Sequence, residues 1–510
     1  MGQVVGDFAT QAERDYLFDT RDFTTEYTQN IVSAYANGEL FSLPGGEVLF
    51  GIGAEYRTDE IKSVPDDVAA DGLFFGFFSD LGAVGEKDTM EYFAEVELPL
   101  LAGVPMFQEL TANISTRHTK DEYYGGAWTY SGKLAWRPID SLLLRGTVGT
   151  SYRAPNLREN FLLGQTGFQN LTDPCVVPDA AYDPINGYDP NNDNRPAEVL
   201  SNCQAQGIDP TTFVNGGNQV YSVEIDGGGA LDLAEEKSDS YSAGLTWEQP
   251  FFTAFDFVVA ATYYEISIRD EIIEPSAAFI VQDCFYDLQG DSAFCSRIDR
   301  DPSDNTMSLI DEGFINRDQQ KARGVDLNMR LDWPTQMFGK AVDFGAELAM
   351  NRSLELSNRL QLDGGVVESD DFIGEFGYPE WKGRLTLRAD VGKFRYTWST
   401  RYVGSVEQDE EGIDPYDDIF TGFADTCLGP QNGDVNCRNI GYASNYFTHD
   451  ASVYFYGDSW TIGAGLRNVF NEEPPLVDGA EVFSFNNVPF GAGYDILGRT
   501  LFANIAYNFQ

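Results

Sequence analysis

The chain has 510 residues, with 81 Asp or Glu against 33 Lys or Arg, so its formal net charge is −48. This sign argues against a nucleic-acid-binding protein, which needs a basic face to meet phosphate. The 37 Phe, 26 Tyr and 7 Trp residues argue against a disordered acidic tail, which would be poor in aromatics. No run approaches the roughly 20 apolar residues of a membrane helix. The composition favours a large, acidic, all-β protein.

The start of the chain and its cysteines favour different cellular compartments. Residues 1–7 contain neither a basic nor an apolar segment, so they do not form a secretory signal. The six cysteines nevertheless fall into three local pairs in loop-like segments, which favours disulfides and an oxidising compartment over free thiols. We therefore expect the natural N-terminus, with an export signal, to lie further upstream. The predicted pairs are Cys175 with Cys203, Cys284 with Cys295, and Cys427 with Cys437.

Alternating apolar and polar residues, the pattern of a strand with two unlike faces, recur fifteen times along the chain. Many of these runs have 10 to 15 residues. A tilted strand needs about 9–11 residues to cross a bilayer, so the runs are long enough to do so. In chain order the predicted strands span 25–41, 47–59, 89–100, 107–120, 126–137, 142–153, 238–249, 254–269, 314–332, 340–354, 379–391, 393–405, 444–456, 459–470 and 498–510.

Two folds use strands of this kind. In a soluble sandwich the apolar faces form a core, whereas in a membrane barrel they meet lipid and carry aromatic girdles at both ends. Aromatic residues such as Tyr56, Trp128 and Trp136 cluster toward the predicted strand ends, which favours the barrel. A sandwich core would also use aromatics, so this pattern leaves both folds open.

The connections between the predicted strands separate the two alternatives. After the first strand, short and long connections alternate, and only 121–125 in the long set is brief. The long set holds all the cysteine pairs, and its segments 154–236, 270–312 and 406–442 together carry −28 of the net charge of −48. Tight turns at one end and large loops at the other are typical of outer-membrane barrels. The sequence therefore predicts a transmembrane antiparallel β-barrel with acidic external loops.

Three segments at the ends of predicted strands carry short motifs. Their residues are Tyr152, Arg153, Ala154, Pro155 and Asn156 in the first segment, Asn468 and Phe470 in the second, and Tyr494, Asp495, Gly498, Arg499, Tyr507 and Phe509 in the third. Together the three segments resemble motifs of TonB-dependent outer-membrane receptors. They occur in the family's order, and the similarity extends from about residue 25 to the end of the chain.

The resemblance implies a barrel of about 22 strands whose lumen is filled by a plug domain. Because a closed bacterial single-chain barrel has an even number of strands, the fifteen predicted here would be the last fifteen of 22. Residues 1–24 would then be the remnant of an extracellular loop, and residues 25–510 a partial barrel. The signal, the plug and about seven strands would be missing, and two sheet edges would stay open.

The resemblance also implies a function. Such a receptor lies in the outer membrane of a Gram-negative bacterium and takes up a scarce nutrient, for example a siderophore or an oligosaccharide. A small-molecule ligand would bind at the extracellular loops, and the TonB–ExbB–ExbD complex would act through the missing plug. Lipopolysaccharide and outer-membrane lipid would surround the barrel. The negative charge of the mouth disfavours an anionic ligand there and suits a neutral or cationic one.

Candidate sites for chemistry are few. The sequence has no nucleophile-elbow or zinc-protease motif, so we expect neither an enzyme nor a cofactor. The segment 179–193 is rich in the oxygen ligands that Ca²⁺ prefers, but it lacks the helix–loop–helix frame of an EF-hand, and screening by lipopolysaccharide-bridging ions is the alternative interpretation. The calcium candidates are Asp179, Asp183, Asp189 and Asp193. Four arginines are expected to form ion pairs at the barrel rim, with contact to a substrate as the alternative: Arg153, Arg158, Arg467 and Arg499.

Two other functions stay open at this point. A passive porin would also be a barrel, but an even-stranded one without a plug. A secreted β-rich adhesin or enzyme would be soluble. One local feature also carries an expectation about the lumen: Gly463 and Gly465 alternate on the predicted lumen side and are expected to leave room for something packed inside.

Overall fold

Fifteen long strands follow one another in a single antiparallel path, each hydrogen-bonded to its neighbours in sequence, within a sheet of 16 strands. The computed structural model describes residues 10–75, 77–286, 292–317, 319–337, 339–361, 367–407, 442–477, 482, 484–485 and 488–509. The strands of the path are β1 (Phe23–Leu43), β2 (Gly46–Pro65), β3 (Ala83–Val104), β4 (Phe107–Asp121), β5 (Gly125–Ile139), β6 (Leu142–Arg153), β7 (Glu236–Glu248), β8 (Asp256–Arg269), β9 (Gln319–Met337), β10 (Lys340–Gln361), β11 (Trp381–Val391), β12 (Phe394–Val403), β13 (Tyr446–Tyr456), β14 (Trp460–Arg467) and β15 (Thr500–Tyr507).

All fifteen predicted strands correspond to strands of this path, and several are longer than predicted. β2 and β3 extend into the predicted connection 60–88, where apolar and polar residues no longer alternate strictly, although the backbone ladder continues. β9 begins at Gln319 rather than at residue 314, because Ile315–Asn316 pairs instead with Ile272–Ile273 in a loop. The sixteenth strand, Val367–Asp371, pairs with the end of β10.

The two faces of the sheet differ as expected for a strand wall in lipid. Large apolar side chains stand exposed along one face, and Ile52, Tyr92, Ile114, Trp128 and Ile505 are 50–68% exposed. A soluble sandwich would bury these side chains in a core. The opposite face carries ion pairs between neighbouring strands, such as Arg117 with Glu91 at 3.1 Å. The prediction of a transmembrane antiparallel barrel wall is confirmed, with the apolar face toward lipid and the charged face toward the lumen.

The connections alternate in length as predicted. A two-residue turn joins β11 to β12, and its Gly392 has φ 61°, a conformation that residues with a side chain rarely adopt. Segments 154–235 and 270–318, by contrast, are long connections at the other end of the sheet. Among the described residues, β1 pairs only with β2 and β15 only with β14, so each leaves one edge without a partner strand.

The helices and short strands lie outside the barrel path. No helix in the described ranges is long and apolar enough to cross a bilayer. The helices are α1 (Gln11–Leu17), α2 (Asp67–Ala70), α3 (Leu157–Phe161), α4 (Ala197–Ala205) and α5 (Ala277–Tyr286), with 3₁₀ turns at Asp179–Ala181, Asn215–Gly217 and Ala293–Arg297. Short strands pair as Tyr182–Asp183 with Gly187–Tyr188, Val406–Glu407 with Tyr442–Ala443, and Ser484–Phe485 with Val488–Pro489.

Two long connections fold together into one unit, which we call the loop cap: the described residues of 154–235 and 270–318. A four-stranded sheet in the order Ile298–Arg300, Met307–Asp311, Val220–Gly227 and Gln165–Thr172 combines strands from both connections. A hydrophobic core containing Val176, Val199, Ile280, Phe285 and Ile310 lies beneath it. The loop cap therefore carries a core of its own outside the barrel wall.

The assignment of the lipid face predicts the effect of a charge placed on each side of β4. We expect Ile114→Lys to lower the free energy of unfolding by about 2–4 kcal/mol, the cost of a cation near the middle of a bilayer. The neighbouring Ser115→Lys, on the lumen face opposite Glu95, should cost less than about 1 kcal/mol. Denaturant titration in lipid vesicles measures both values, and equal costs for the two variants would contradict the assignment.

Candidate functional site

The first family motif marks the point where β6 leaves the sheet. Pro155 has no N–H to donate, and the ladder ends at Arg153. Asn156 then caps α3, since its side chain accepts hydrogen bonds from the backbone N–H of Arg158 and of Glu159, at 2.8 and 2.9 Å. The Glu159 carboxylate accepts from the Asn156 N–H at 2.7 Å, which completes a capping box. The motif thus turns the chain sharply from the barrel wall into the loop cap.

Arg153 joins three elements at this turn. Its guanidinium donates to Glu159 of α3 at 2.9 Å and to Glu236, the first residue of β7, at 2.6 Å. A planar guanidinium holds two carboxylates in fixed directions, which a lysine could not do. Arg153 therefore forms ion pairs at the rim, as the sequence led us to expect. Tyr152, its neighbour, lines the adjoining lumen cavity together with Ala154.

A buried ion pair that the sequence did not reveal supports the same turn. The Lys87 ammonium donates to the Pro155 carbonyl at 2.6 Å and lies 3.4 Å from the Asp121 carboxylate. The Lys87 and Asp121 side chains are only 8% and 2% exposed. Removing one member of such a buried pair leaves an uncompensated charge, so each holds the other in place. Asp121 also accepts from the Tyr123 N–H at 3.0 Å, which fixes the brief turn after β4.

The lumen face beside this turn encloses a cavity of about 750 Å³. Its charges are matched, since Arg57 lies 2.9 Å from Asp59 and Arg117 lies 3.1 Å from Glu91. Tyr27 donates to Asp59 at 2.7 Å across the strands. The volume suits a small organic ligand. Because the charges of the wall are paired with one another, the wall is polar but needs no counter-ion.

The second and third motifs meet at one buried asparagine. Asn468 is 1% exposed and has φ 48°. Its side chain donates to the Glu472 carbonyl and the Asp495 carboxylate, both at 2.8 Å, and accepts from the Glu472 N–H at 2.8 Å. Its own N–H donates to Asp450 at 2.9 Å. Asn468 thereby joins the end of β14 to β13 and to the segment that precedes β15.

The remaining motif residues pack around that junction or at the sheet edge. Tyr494 packs edge-on against Tyr446, with the ring centroids 5.0 Å apart. Gly498 has φ 68°, and the following Arg499 N–H donates to Asn471 at 2.9 Å. Burial raises the pKa of the Tyr494 hydroxyl to about 12, so it stays neutral. The other ring contacts are Phe470 with His449 at 5.1 Å, Tyr507 with Trp460 at 4.6 Å, and Tyr507 with Phe509 at 4.7 Å.

The expectation for Gly463 and Gly465 is wrong. A Cβ at Gly463 would collide with the Tyr454 ring, and one at Gly465 would collide with the Phe502 ring. The two glycines therefore accommodate aromatic rings of the neighbouring strands. They leave no free space for another element. Arg467 at the end of β14 likewise stacks on Phe502, with its guanidinium carbon 5.5 Å from the ring centroid.

Disulfides fasten the loop cap from within. Cys175 is bonded to Cys203 and Cys284 to Cys295, which are two of the three predicted pairs. Both bonds lie against the hydrophobic core of the cap. Cys427 and Cys437 lie outside the described residues, so the third pairing stays a prediction.

Ion pairs join the two connections that make the cap. Arg300 donates to Asp173 through two nitrogens, at 2.6 and 2.9 Å, although the residues are 127 positions apart. The Asp173 carboxylate is fully buried and also accepts from the Tyr221 hydroxyl at 2.6 Å. A bidentate pair of this kind fixes orientation as well as distance. The cap is therefore one joined unit, in contrast to two independent loops.

The four calcium candidates do not converge. Asp183 accepts from the backbone N–H groups of Ile185 and Asn186 in its own turn. Asp193 is occupied by Arg195, whose guanidinium nitrogen lies 2.7 Å away. Asp189 binds the Asn191 backbone at 3.0 Å, and Asp179 opens a 3₁₀ turn. Among the described residues, no group of three or more His, Cys, Asp or Glu side chains is placed to hold a metal ion.

Arg195 joins separate segments of the loop cap. It donates to the carbonyls of Cys175 at 3.0 Å and Pro210 at 2.7 Å while it pairs with Asp193. The hydrogen bonds from Arg195 lower the pKa of the Asp193 carboxyl to about 2. The segment that looked like a cation site in the sequence therefore serves to hold the cap together.

A strand wall with an apolar outer face, a charged inner face and a disulfide-bonded cap at one end defines a membrane-spanning β-barrel protein of the large receptor type. The model of the TonB-dependent receptor-like β-barrel family matches residues 3–469. The chain belongs to this family, whose members are outer-membrane transporters of Gram-negative bacteria and not enzymes.

Solved structures show the same fold. The chain is similar to a variant of the ferric enterobactin receptor PfeA from Pseudomonas aeruginosa in complex with enterobactin, with TM-score 0.57, 13% identity, and coverage of 95% of this chain and 55% of that one. It is also similar to the siderophore receptor PirA from Acinetobacter baumannii, with TM-score 0.53, 13% identity, and coverage of 96% and 55%. The chain thus spans about 55% of the length of these receptors. No curated protein sequence matches it significantly.

The bonding of Asn468 predicts a large effect of its removal. Asn468→Ala would leave the Glu472 N–H, the Glu472 carbonyl and the Asp495 carboxylate without this partner, and we expect the free energy of unfolding to fall by about 2–4 kcal/mol. Asn471→Ala is the matched control, since Asn471 also has positive φ (58°) but is exposed and accepts one bond from Arg499. Urea titration should show less than about 1 kcal/mol for the control. Similar values for both would contradict the role of Asn468.

The Asp193–Arg195 pair predicts a pH dependence of the cap. Because the folded-state pKa of Asp193 lies near 2, below its unfolded value of about 3.9, the pair contributes its full stabilisation above about pH 4. That contribution is lost as the pH falls through about 2. Hydrogen exchange of the 173–213 amides, corrected for intrinsic rates, should show lower protection in Asp193→Asn at pH 7 and a difference from wild type that vanishes near pH 2. A constant difference at all pH values would contradict this assignment.

Proposed function

We propose that this chain forms the lumen wall and external loops of an outer-membrane transporter that takes up a scarce nutrient, with a ferric siderophore as the leading ligand class. The observation that carries the proposal is the joined loop cap beside a polar lumen wall, on a chain of the TonB-dependent receptor family. Siderophore receptors with the same fold support the ligand class. The lumen cavity of about 750 Å³ has room for a compact ligand.

We further propose that uptake is driven by the TonB–ExbB–ExbD complex acting on a plug domain, with lipopolysaccharide and outer-membrane lipid around the barrel. Residues 25–510 would serve as the wall of that barrel, and residues 1–24 as part of an extracellular connection. Support for the second assignment comes from the Asp22 N–H, which donates to Asp66 at 2.8 Å in the connection after β2. Arg21 also pairs with Asp80 there, at 3.3 Å.

The contacts within the chain suggest separate roles for the loop cap and the barrel wall in the proposed transporter. The cap is fixed by disulfides and by the Arg300–Asp173 pair, so it can present a preformed surface to a ligand at the mouth. The Lys87–Asp121 pair and Arg153 anchor that cap to the barrel wall at the end of β6. Ligand capture at the cap and passage along the lumen would therefore occur on one connected scaffold.

The proposed function predicts energy-dependent uptake. We expect a Gram-negative strain whose own siderophore receptors are deleted to accumulate ⁵⁵Fe-enterobactin when it expresses this chain together with its plug domain, and to lose that accumulation when tonB is deleted. A passive porin needs no energy coupling, so its flux would be unchanged by the deletion. Accumulation that persists without TonB would contradict the proposal. A panel of other ferric siderophores separates an error in the ligand from an error in the mechanism.

A further inference from the structure

A row of directly paired residues crosses five neighbouring strands on the lumen face. Asn328 of β9 is paired with Ala349 of β10, and Ala349 is paired with Arg384 of β11. Arg384 is the direct cross-strand partner of Arg401 on β12, and Arg401 is paired with Thr448 on β13. Two arginines therefore face each other at the centre of the row.

This arginine pair is unfavourable by itself, since like charges directly opposite each other destabilise a sheet. Within the part of the chain that the structure describes, neither Arg384 nor Arg401 forms an ion pair with a carboxylate, and the same holds for Lys382 on the same face. The arginines nearby on the same wall behave differently. Arg388 pairs with Asp332 at 3.3 Å, and Arg395 pairs with Asp390 at 2.7 Å.

The three cations line one cavity of about 560 Å³. Among the described residues that line it, the one carboxylate is that of Asp326, which accepts a hydrogen bond from the Asn351 amide at 2.9 Å. The cavity therefore carries a net positive charge, in a protein whose formal charge is −48. Its size lies in the range of small-molecule sites.

A glycine-containing segment closes one side of this cavity. Gly491, Ala492 and Gly493 line it, and both glycines have positive φ, at 79° and 89°. A Cβ on Gly493 would lie 3.1 Å from a guanidinium nitrogen of Arg401. The absence of a side chain at residue 493 thus lets the backbone approach Arg401 closely and keeps the guanidinium free to face the cavity.

We propose that Arg384 and Arg401, with Lys382 beside them, form a binding subsite for an oxyanion group, a carboxylate or a phosphate, carried by the solute that moves through the lumen. The proposal rests on the proposed function. An oxyanion would replace the like-charge repulsion with charge-assisted hydrogen bonds, and guanidinium groups match the geometry of both anions. The lumen would therefore select solutes that carry an anionic group, although the mouth of the barrel is acidic.

The acidic mouth and the basic subsite are compatible. Exposed charges more than about 8 Å apart are largely screened at physiological ionic strength, whereas guanidinium groups in contact with an anion are not. The loop charge would slow the approach of a bare anion, and a ligand that carries its anionic group within a larger, less charged body would be affected less. The lumen subsite then acts at short range on that group.

Calorimetry on the purified full chain in detergent tests the subsite without a known ligand. Succinate and inorganic phosphate are the probes, and succinamide is the neutral analogue of succinate. We expect Arg384→Gln and Arg401→Gln each to weaken binding of the favoured anion about tenfold, and the double variant about 100-fold. Arg395→Gln is the matched control on the same strand and face as Arg401, since Arg395 is already paired with Asp390; it should change binding less than about twofold.

A stability measurement separates binding from folding. Because the arginine pair repels itself, Arg384→Gln and Arg401→Gln should unfold, without anion, at the same or a higher urea concentration than wild type. Lower stability of both variants without anion would show a structural role and overturn the proposal. Dissociation constants weaker than about 10 mM for both probes, binding of succinamide as tight as succinate, or equal weakening by Arg395→Gln would also overturn it.

The uptake assay distinguishes the two proposals. If ⁵⁵Fe-siderophore uptake depends on TonB while neither anion binds, the oxyanion subsite is wrong and the proposed function stands. If an anion binds through Arg384 and Arg401 while no TonB-dependent uptake of any tested siderophore occurs, the subsite stands and the proposed function is wrong.

Discussion

The hydrogen-bonding demand of the backbone inside a bilayer determines this structure. Lipid offers no partner for N–H or C=O groups, so each strand that crosses it must bond to strands on both sides. Among the described residues, the strands from β2 to β14 meet this demand in the simplest order, each paired with the strands before and after it along the path. The connections at one end can then be as short as Gly392–Lys393, because they need only reverse the chain. The long connections, with their helices, short strands and disulfides, lie at the other end of the sheet, where water can hydrogen-bond to the backbone.

The same demand explains where charge is found. One face of every strand meets lipid, so charged side chains concentrate on the lumen face, in the loops and near the strand ends. On the lumen face, neighbouring strands place opposite charges together, as for Arg117 with Glu91 and Arg388 with Asp332. In an acid-rich chain such pairing is easy to achieve. Two adjacent arginines that have no carboxylate partner among the described residues, Arg384 and Arg401, are therefore informative about the solute in the lumen.

The strand wall could be predicted from the sequence. Lipid on one side and water on the other require apolar and polar residues to alternate, and this alternation is visible within each strand alone. The loop cap could not be predicted. It depends on contacts such as Arg300 with Asp173, which join segments 127 residues apart and leave no periodic trace. The cysteines indicated ordered loops but not that two loops share a core. The Arg384–Arg401 pairing depends on the register between two strands, which the short turn at Gly392 fixes but which the pattern within one strand does not show.

Two motif side chains, Arg153 and Asn468, brace the barrel through their polar groups. Arg153 binds Glu159 and Glu236, and Asn468 binds Glu472 and Asp495, so these side chains are occupied by the protein itself. In every barrel of this kind the chain must leave the strand wall and enter a loop, whichever solute is transported. The contacts that fix this turn therefore do not depend on the solute. Selectivity must then come from positions that the scaffold leaves unoccupied. On the lumen face, Arg384 of β11 and Arg401 of β12 are such positions, since neither pairs with a carboxylate in the part of the chain that the structure describes.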